Sequence, residues 1–130
     1  MLRHFPIDTG VTIDSFLSDL LGFDWQEQTA DFVIPDDPGN VLRVRFRSSV
    51  IVRMLDEFPL SIESNPATWE GLVPHHLAYR VEGATFAVTQ SDVWKELERG
   101  VTHYRFVTGN GCLDVLSAGD PEFAIVPTAS

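Results

Sequence analysis

Between Val41 and Leu55 the chain reads VLRVRFRSSVIVRML, and apolar and charged positions alternate along it. Leu42, Val44, Phe46, Val50, Val52 and Met54 fall on even numbers, and Arg43, Arg45, Arg47 and Arg53 on odd ones. A period of two belongs to a strand with one buried face, because successive side chains point to opposite sides of a sheet. Ser48 keeps the even register, so the stretch predicts either one long bent strand or two strands meeting at a Ser48-Ser49 bulge or corner.

Other segments carry other periods. Thr12 offers an N-cap oxygen, and Ile13, Phe16, Leu17, Leu20 and Leu21 recur at helical spacing up to Gly22, which predicts an amphipathic helix over 13–21 packed on the sheet. Asp31 to Ile34 is a short apolar run, and the turn at Asp36-Asp37-Pro38-Gly39-Asn40 leads from it into the central strand. Residues 77–89 suggest a hairpin around Gly83-Ala84, and Ser91 caps a predicted helix over 91–98. A second hairpin spans 101–117. With Asn110-Gly111 as its loop, Phe106 faces Val115, Thr108 faces Leu113, and Arg105 lies diagonal to Asp114. Phe123 to Val126 reads as a last strand. The sum is an α+β fold over 1–130 as one domain. It has a mainly antiparallel twisted sheet of six or seven strands, an N-terminal helix on one face and a short helix near 91–98.

Composition narrows the class. The 130 residues are 44% hydrophobic with nine Phe and three Trp, enough for one core without metal or disulfide. The lone Cys112 suits a reducing compartment, Asp8, Asp14 and Asp19 interrupt any signal-peptide pattern, and no apolar run reaches the ~20 residues of a membrane span, so a cytoplasmic protein is expected. A net charge of -10 argues against nucleic acid as a partner and for a basic protein surface. The charge is also blocked: residues 1–40 hold eight carboxylates against Arg3, 41–55 four Arg and no acid, and 56–70 four acids and no base.

The candidate chemistry is sparse. Arg43, Arg45 and Arg47 would stand ~6.6 Å apart along one strand face, a track for partner carboxylates or an anionic ligand, or a row of cross-strand ion pairs. The proline-rich 56–76 segment is the candidate interaction loop, and Glu63, Trp69, Glu70, His75 and His76 on it, with Arg105, complete the candidate binding set. Adjacent His75 and His76 point opposite ways on an extended chain, no zinc spacing occurs, and Cys112 and His103 lie at opposite ends of their hairpin. No catalytic residue, metal or cofactor is therefore assigned. The expectation is a small acidic non-enzymatic interaction domain, of inhibitor or immunity type, that masks a basic surface. The alternatives are an anionic-ligand site or small enzyme between the sheet and the 56–76 loop, and homo-oligomerisation through an uncovered sheet face.

Overall fold

The computed structural model describes residues 2–48, 50–55, 70–88 and 101–128. In chain order these form β1 (Arg3–Pro6), a 3-10 turn (Ser15–Leu17), β2 (Leu20–Asp24), β3 (Thr29–Val33), β4 (Asn40–Arg45), β5 (Val50–Leu55), β6 (Ala78–Glu82), the four-residue helical turn α1 (Thr85–Val88), β7 (Thr102–Val107), β8 (Cys112–Ser117) and β9 (Glu122–Pro127). The strands make two antiparallel sheets, one ordered β1-β6-β7-β8-β5 and the other β2-β3-β4-β9. Phe32, Leu42, Val44 and Phe46 of the second sheet and the segment after β4 pack against Ala78, Tyr104, Phe106, Leu113 and Val115 of the first, and Phe32 and Phe106 rings meet at 5.4 Å. This is a β-sandwich, not the α+β fold that the hydrophobic pattern predicted: among the described residues no helix reaches seven residues. The predicted helix over 91–98 lies outside them.

The central stretch divides into two strands, one in each sheet, with the change near Ser48. Gln28, at φ 55°, holds the corner: its side-chain amide donates to the carbonyls of Phe46 (2.8 Å) and Ser48 (2.9 Å), and its own carbonyl accepts from Phe46 N (3.0 Å). The even side chains Leu42, Val44 and Phe46 are buried, and Val50 and Val52 pack on the same core. Arg43 and Arg45 face outward on one sheet and Arg53 on the other, where Asp114 is its partner across the ladder.

Residues 13–21 are not a helix. Asp14 Oδ1 accepts from Phe16 N, Ser18 Oγ donates to Val33 O, Val33 N donates to Asp19 O, and Leu20 onward pairs with β3. Short Asp and Ser side chains bond nearby backbone in competition with helical hydrogen bonds, and a nine-residue helix is marginal without them. Sheet pairing therefore wins.

The hairpin over 77–89 also fails to form. Both edges of β6 are taken, by β1 and β7, so no ladder remains for a returning strand, and the chain enters α1 instead. The second hairpin forms with its loop one residue earlier. Thr108 N donates to Gly111 O, the loop residues are Gly109 and Asn110, and Phe106 faces Leu113. A one-residue loop shift moves the cross-strand register by two, so both faces survive and Arg105 lies directly opposite Asp114. Asn110 is engaged elsewhere: its side chain accepts from Leu20 N (2.9 Å) and donates to Leu20 O (3.2 Å).

Candidate interaction surface

Ile13 is buried and Leu20 packs on the core, but the rest of the apolar stripe that would have faced inward as a helix is exposed. Phe16 is 70% exposed, Leu17 66%, Leu21 57% and Trp25 70%, and Leu72 (43%) and Val73 (45%) are exposed as well. Leu21 is turned out by an irregularity between Leu20 and Gly22 in the pairing of β2 with β3, the signature of a bulge. Phe23 stays partly buried against the core and meets Trp25 edge-on at 5.8 Å. Trp25 itself sits in a tight turn that Asp24 Oδ1 closes by accepting from Gln26 N and Glu27 N.

Backbone bonds hold this ridge in place. Ser15 N donates to His75 O (3.1 Å), and Gly109 N donates to Ser18 O (2.9 Å). A Cβ at Gly109 would stand 2.5 Å from Phe16 O, so the close approach of the β7–β8 loop to the ridge requires glycine there. Phe16, Leu72, Val73, Pro74 and His75 line a mainly apolar cleft of about 510 Å3 whose floor includes Tyr79. The Tyr79 hydroxyl donates to Val73 O (2.8 Å) and accepts from Val73 N (3.1 Å), fastening that wall. His75 adopts φ 65°, a left-handed conformation uncommon for a residue with a side chain, and its Nδ1 lies 3.0 Å from Asp14 Oδ1 while its ring meets Phe16 edge-on at 5.1 Å. His76 Nε2 lies 3.0 Å from Ile7 O and its ring packs on Tyr79. Of the candidate residues named from sequence, the structure brings His75 and His76 to this cleft.

The others lie apart. Arg43 makes a two-point bond to Asp31 directly across the ladder (2.8 and 2.9 Å), Arg45 approaches Glu27 at 3.6 Å and Arg47 bonds Glu122 at 2.7 Å, so the arginine row on the outer face of β4 and just beyond it is matched by carboxylates. Glu70 pairs with Arg3 at 3.5 Å, and its backbone exchanges bonds with Leu2 and His4. Glu63 and Trp69 lie outside the described residues.

Arg105 is fully buried in a charge cluster on the outer face of the five-stranded sheet. Asp114, also fully buried, accepts from Arg105 Nε (2.8 Å), His103 Nε2 (2.7 Å) and Arg53 Nε (3.0 Å). Arg53 also lies over the Phe86 ring at 4.4 Å. Burial alone would raise the Asp114 carboxyl, but the His103 hydrogen bond and the Arg105 charge outweigh it and hold the group below the ordinary carboxylate range. His4 extends the cluster: its Nε2 faces Arg105 Nη1 at 3.1 Å, and its Nδ1 faces Glu70 O at 3.3 Å. A guanidinium only donates, so His4 Nε2 is the acceptor and the ring is neutral. Burial, followed by the Arg105 charge, lowers the His4 pKa from 6.5 to about 4.

A pH dependence follows. The unfolded chain takes up a proton on His4 near pH 6.5, whereas the native state resists until about pH 4, so stability falls as pH drops through that interval. The loss approaches about 2–3 kcal/mol. Asp114, with its depressed native pKa, contributes fully above its unfolded pKa of about 4, and that contribution is lost only at lower pH. Urea titrations between pH 4 and 7 should show the slope, and His4→Gln should flatten it. A slope unchanged in His4→Gln would place the proton uptake elsewhere.

Among the described residues no three His, Cys, Asp or Glu side chains gather as metal ligands, and no helix is long and apolar enough to cross a membrane. The exposed ridge escaped the sequence reading because its spacing fitted a buried helix face; the signal against that was the density of Asp and Ser at 14, 15, 18 and 19. The Asp114 cluster had a visible trace in the polar residues His103, Arg105 and Asp114 recurring at period two on one hairpin face. No protein-family model, curated protein or solved structure matches the chain, and its own geometry carries the functional reading.

Proposed function

We propose that this domain is a non-enzymatic protein-interaction module, and that the Phe16–Leu17–Leu21–Trp25 ridge with its neighbouring cleft is its contact surface. The exposure of these four large apolar residues, all between positions 16 and 25, carries the reading, because a monomer gains nothing from leaving them in water and a concentration of exposed apolar side chains marks a contact site. Asp14, Asp19, Asp24 and Glu27 alternate with them along the chain, which selects a partner presenting apolar side chains within a basic surface. Masking such a surface, as an inhibitor does, is the role this charge pattern fits.

The test is site-specific photo-crosslinking in extracts of the source cells, with a photoreactive residue at position 17 or 21 and a control at Ala124 on the far edge strand. Crosslinks to one protein from the ridge positions, weakened by added salt and removed by Phe16→Asp, are the expected result. The Phe16→Asp chain should keep its stability within about 0.5 kcal/mol, since Phe16 is already exposed. Equal crosslinking from the ridge and from Ala124 would sink the proposal.

A further inference from the structure

Away from the ridge, one end of the sandwich opens into a cleft of about 400 Å3 lined by Phe5, Ile7, Arg80, Tyr104, Asp120 and Phe123. Phe5, Arg80 and Tyr104 are consecutive partners across β1, β6 and β7, and Tyr104 belongs to the core, so the row faces the space between the sheets. Arg80 therefore puts a charge on an inner face whose neighbours are aromatic. Its guanidinium lies over the Phe5 ring at 4.2 Å.

The polar groups of this mouth are unequal. The Tyr104 hydroxyl donates to Asp120 (2.9 Å), and burial, then Asp120, pushes its phenol up to about 12, so it stays protonated and committed to that bond. Arg80 Nη1 bonds Glu82 at 2.7 Å, but that pair is 40% and 54% exposed, and exposed pairs of this kind hold weakly. A carboxylate arriving from the mouth can replace Glu82 on the guanidinium fork, whose planar donors match a carboxylate at two points. A volume of this size admits a single ring with a short side chain.

We infer that this mouth binds a small aromatic carboxylate, with its ring against Phe5, Tyr104 and Phe123 and its carboxylate on Arg80. The full chain is titrated with phenylpropionate, phenylpropanol and phenylpropylamine while the amide signals of residues 5, 104 and 123 and the Arg80 guanidinium are followed by NMR. Phenylpropionate should bind saturably and about tenfold more tightly than either the alcohol or the amine, which lack a carboxylate for Arg80. Arg80→Gln should weaken it about tenfold, and Glu82→Gln, which removes the competing carboxylate, should tighten it about threefold. Equal affinity for the three probes, no saturable shift by about 10 mM, or a Glu82→Gln chain that binds no better would overturn the inference. The Glu82→Gln arm decides the matter even if Arg80→Gln disturbs the fold.

Discussion

Asp114→Ala is expected to destabilise the domain by about 3–5 kcal/mol, as breaking a buried ion pair does when one partner is removed. The Asp114 side chain is fully buried and accepts from Arg105, His103 and Arg53, which ties β7 and the edge strand β5 to β8 between them. Alanine strips the fully buried Arg105 of this carboxylate while its desolvation persists, and it leaves space where the carboxyl stood. Asp114→Asn keeps an acceptor oxygen and nearly the same volume, so it should lose less, about 2 kcal/mol. Urea unfolding followed by tryptophan fluorescence measures both. Alanine and asparagine variants of equal stability would mean that the charge contributes nothing beyond the shape of the group.

Gly71→Ala should cost about 3 kcal/mol or more, for two separable reasons. Gly71 sits at φ +86°, where a Cβ costs about 1–2 kcal/mol by itself. A Cβ there would also stand 1.8 Å from the carbonyl oxygen of His4, an atom of the β1 backbone that cannot rotate away. Glu70 is bridged to Arg3, its N–H donates to Leu2 O (2.9 Å), and His4 N donates to its carbonyl (2.7 Å), so relief of the clash means opening that bridge. Gly10→Ala is the control, since Gly10 has φ +83° and nothing within 4 Å of the added carbon. Its loss should stay near the conformational term alone. If the two alanine variants unfold at the same urea concentration, the contact with His4 is not a constraint.

The parts of the fold legible in the sequence were those set by near neighbours. Alternation at 42–46 fixed which side of β4 is buried, because period two leaves only two choices for a strand. Hairpin faces at 101–117 were read correctly although the loop lies one residue earlier, since a two-residue register shift leaves side chains on the same face. The arginine row was legible as a row, and the carboxylates that meet it became visible only once β3 and β9 lay on either side of β4.

The misread parts were those where a pattern had two solutions and a distant segment chose between them. Spacing at 13–21 fits a helix face and an exposed ridge equally well in one dimension; β3 and Asn110 decided it by pairing with Leu20. Residues 77–89 fit a hairpin locally, yet β1 and β7 occupy both edges of β6. His4, a residue without any motif around it, joins Arg105, 101 positions away, and no local spacing encodes such a contact.

For this protein the sequence by itself determined the acidic charge, the outward arginines of β4 and the hairpin at 101–117, all of which depend on residues a few positions apart. Tertiary structure decided that the chain is a two-sheet sandwich, that Phe16, Leu17, Leu21 and Trp25 remain in water, and that Arg105 and Asp114 are buried. The reason is that edge pairing and burial depend on which strands lie beside one another in the folded chain, and hydrogen bonds offered by a remote strand outweigh the small propensities of a short local segment.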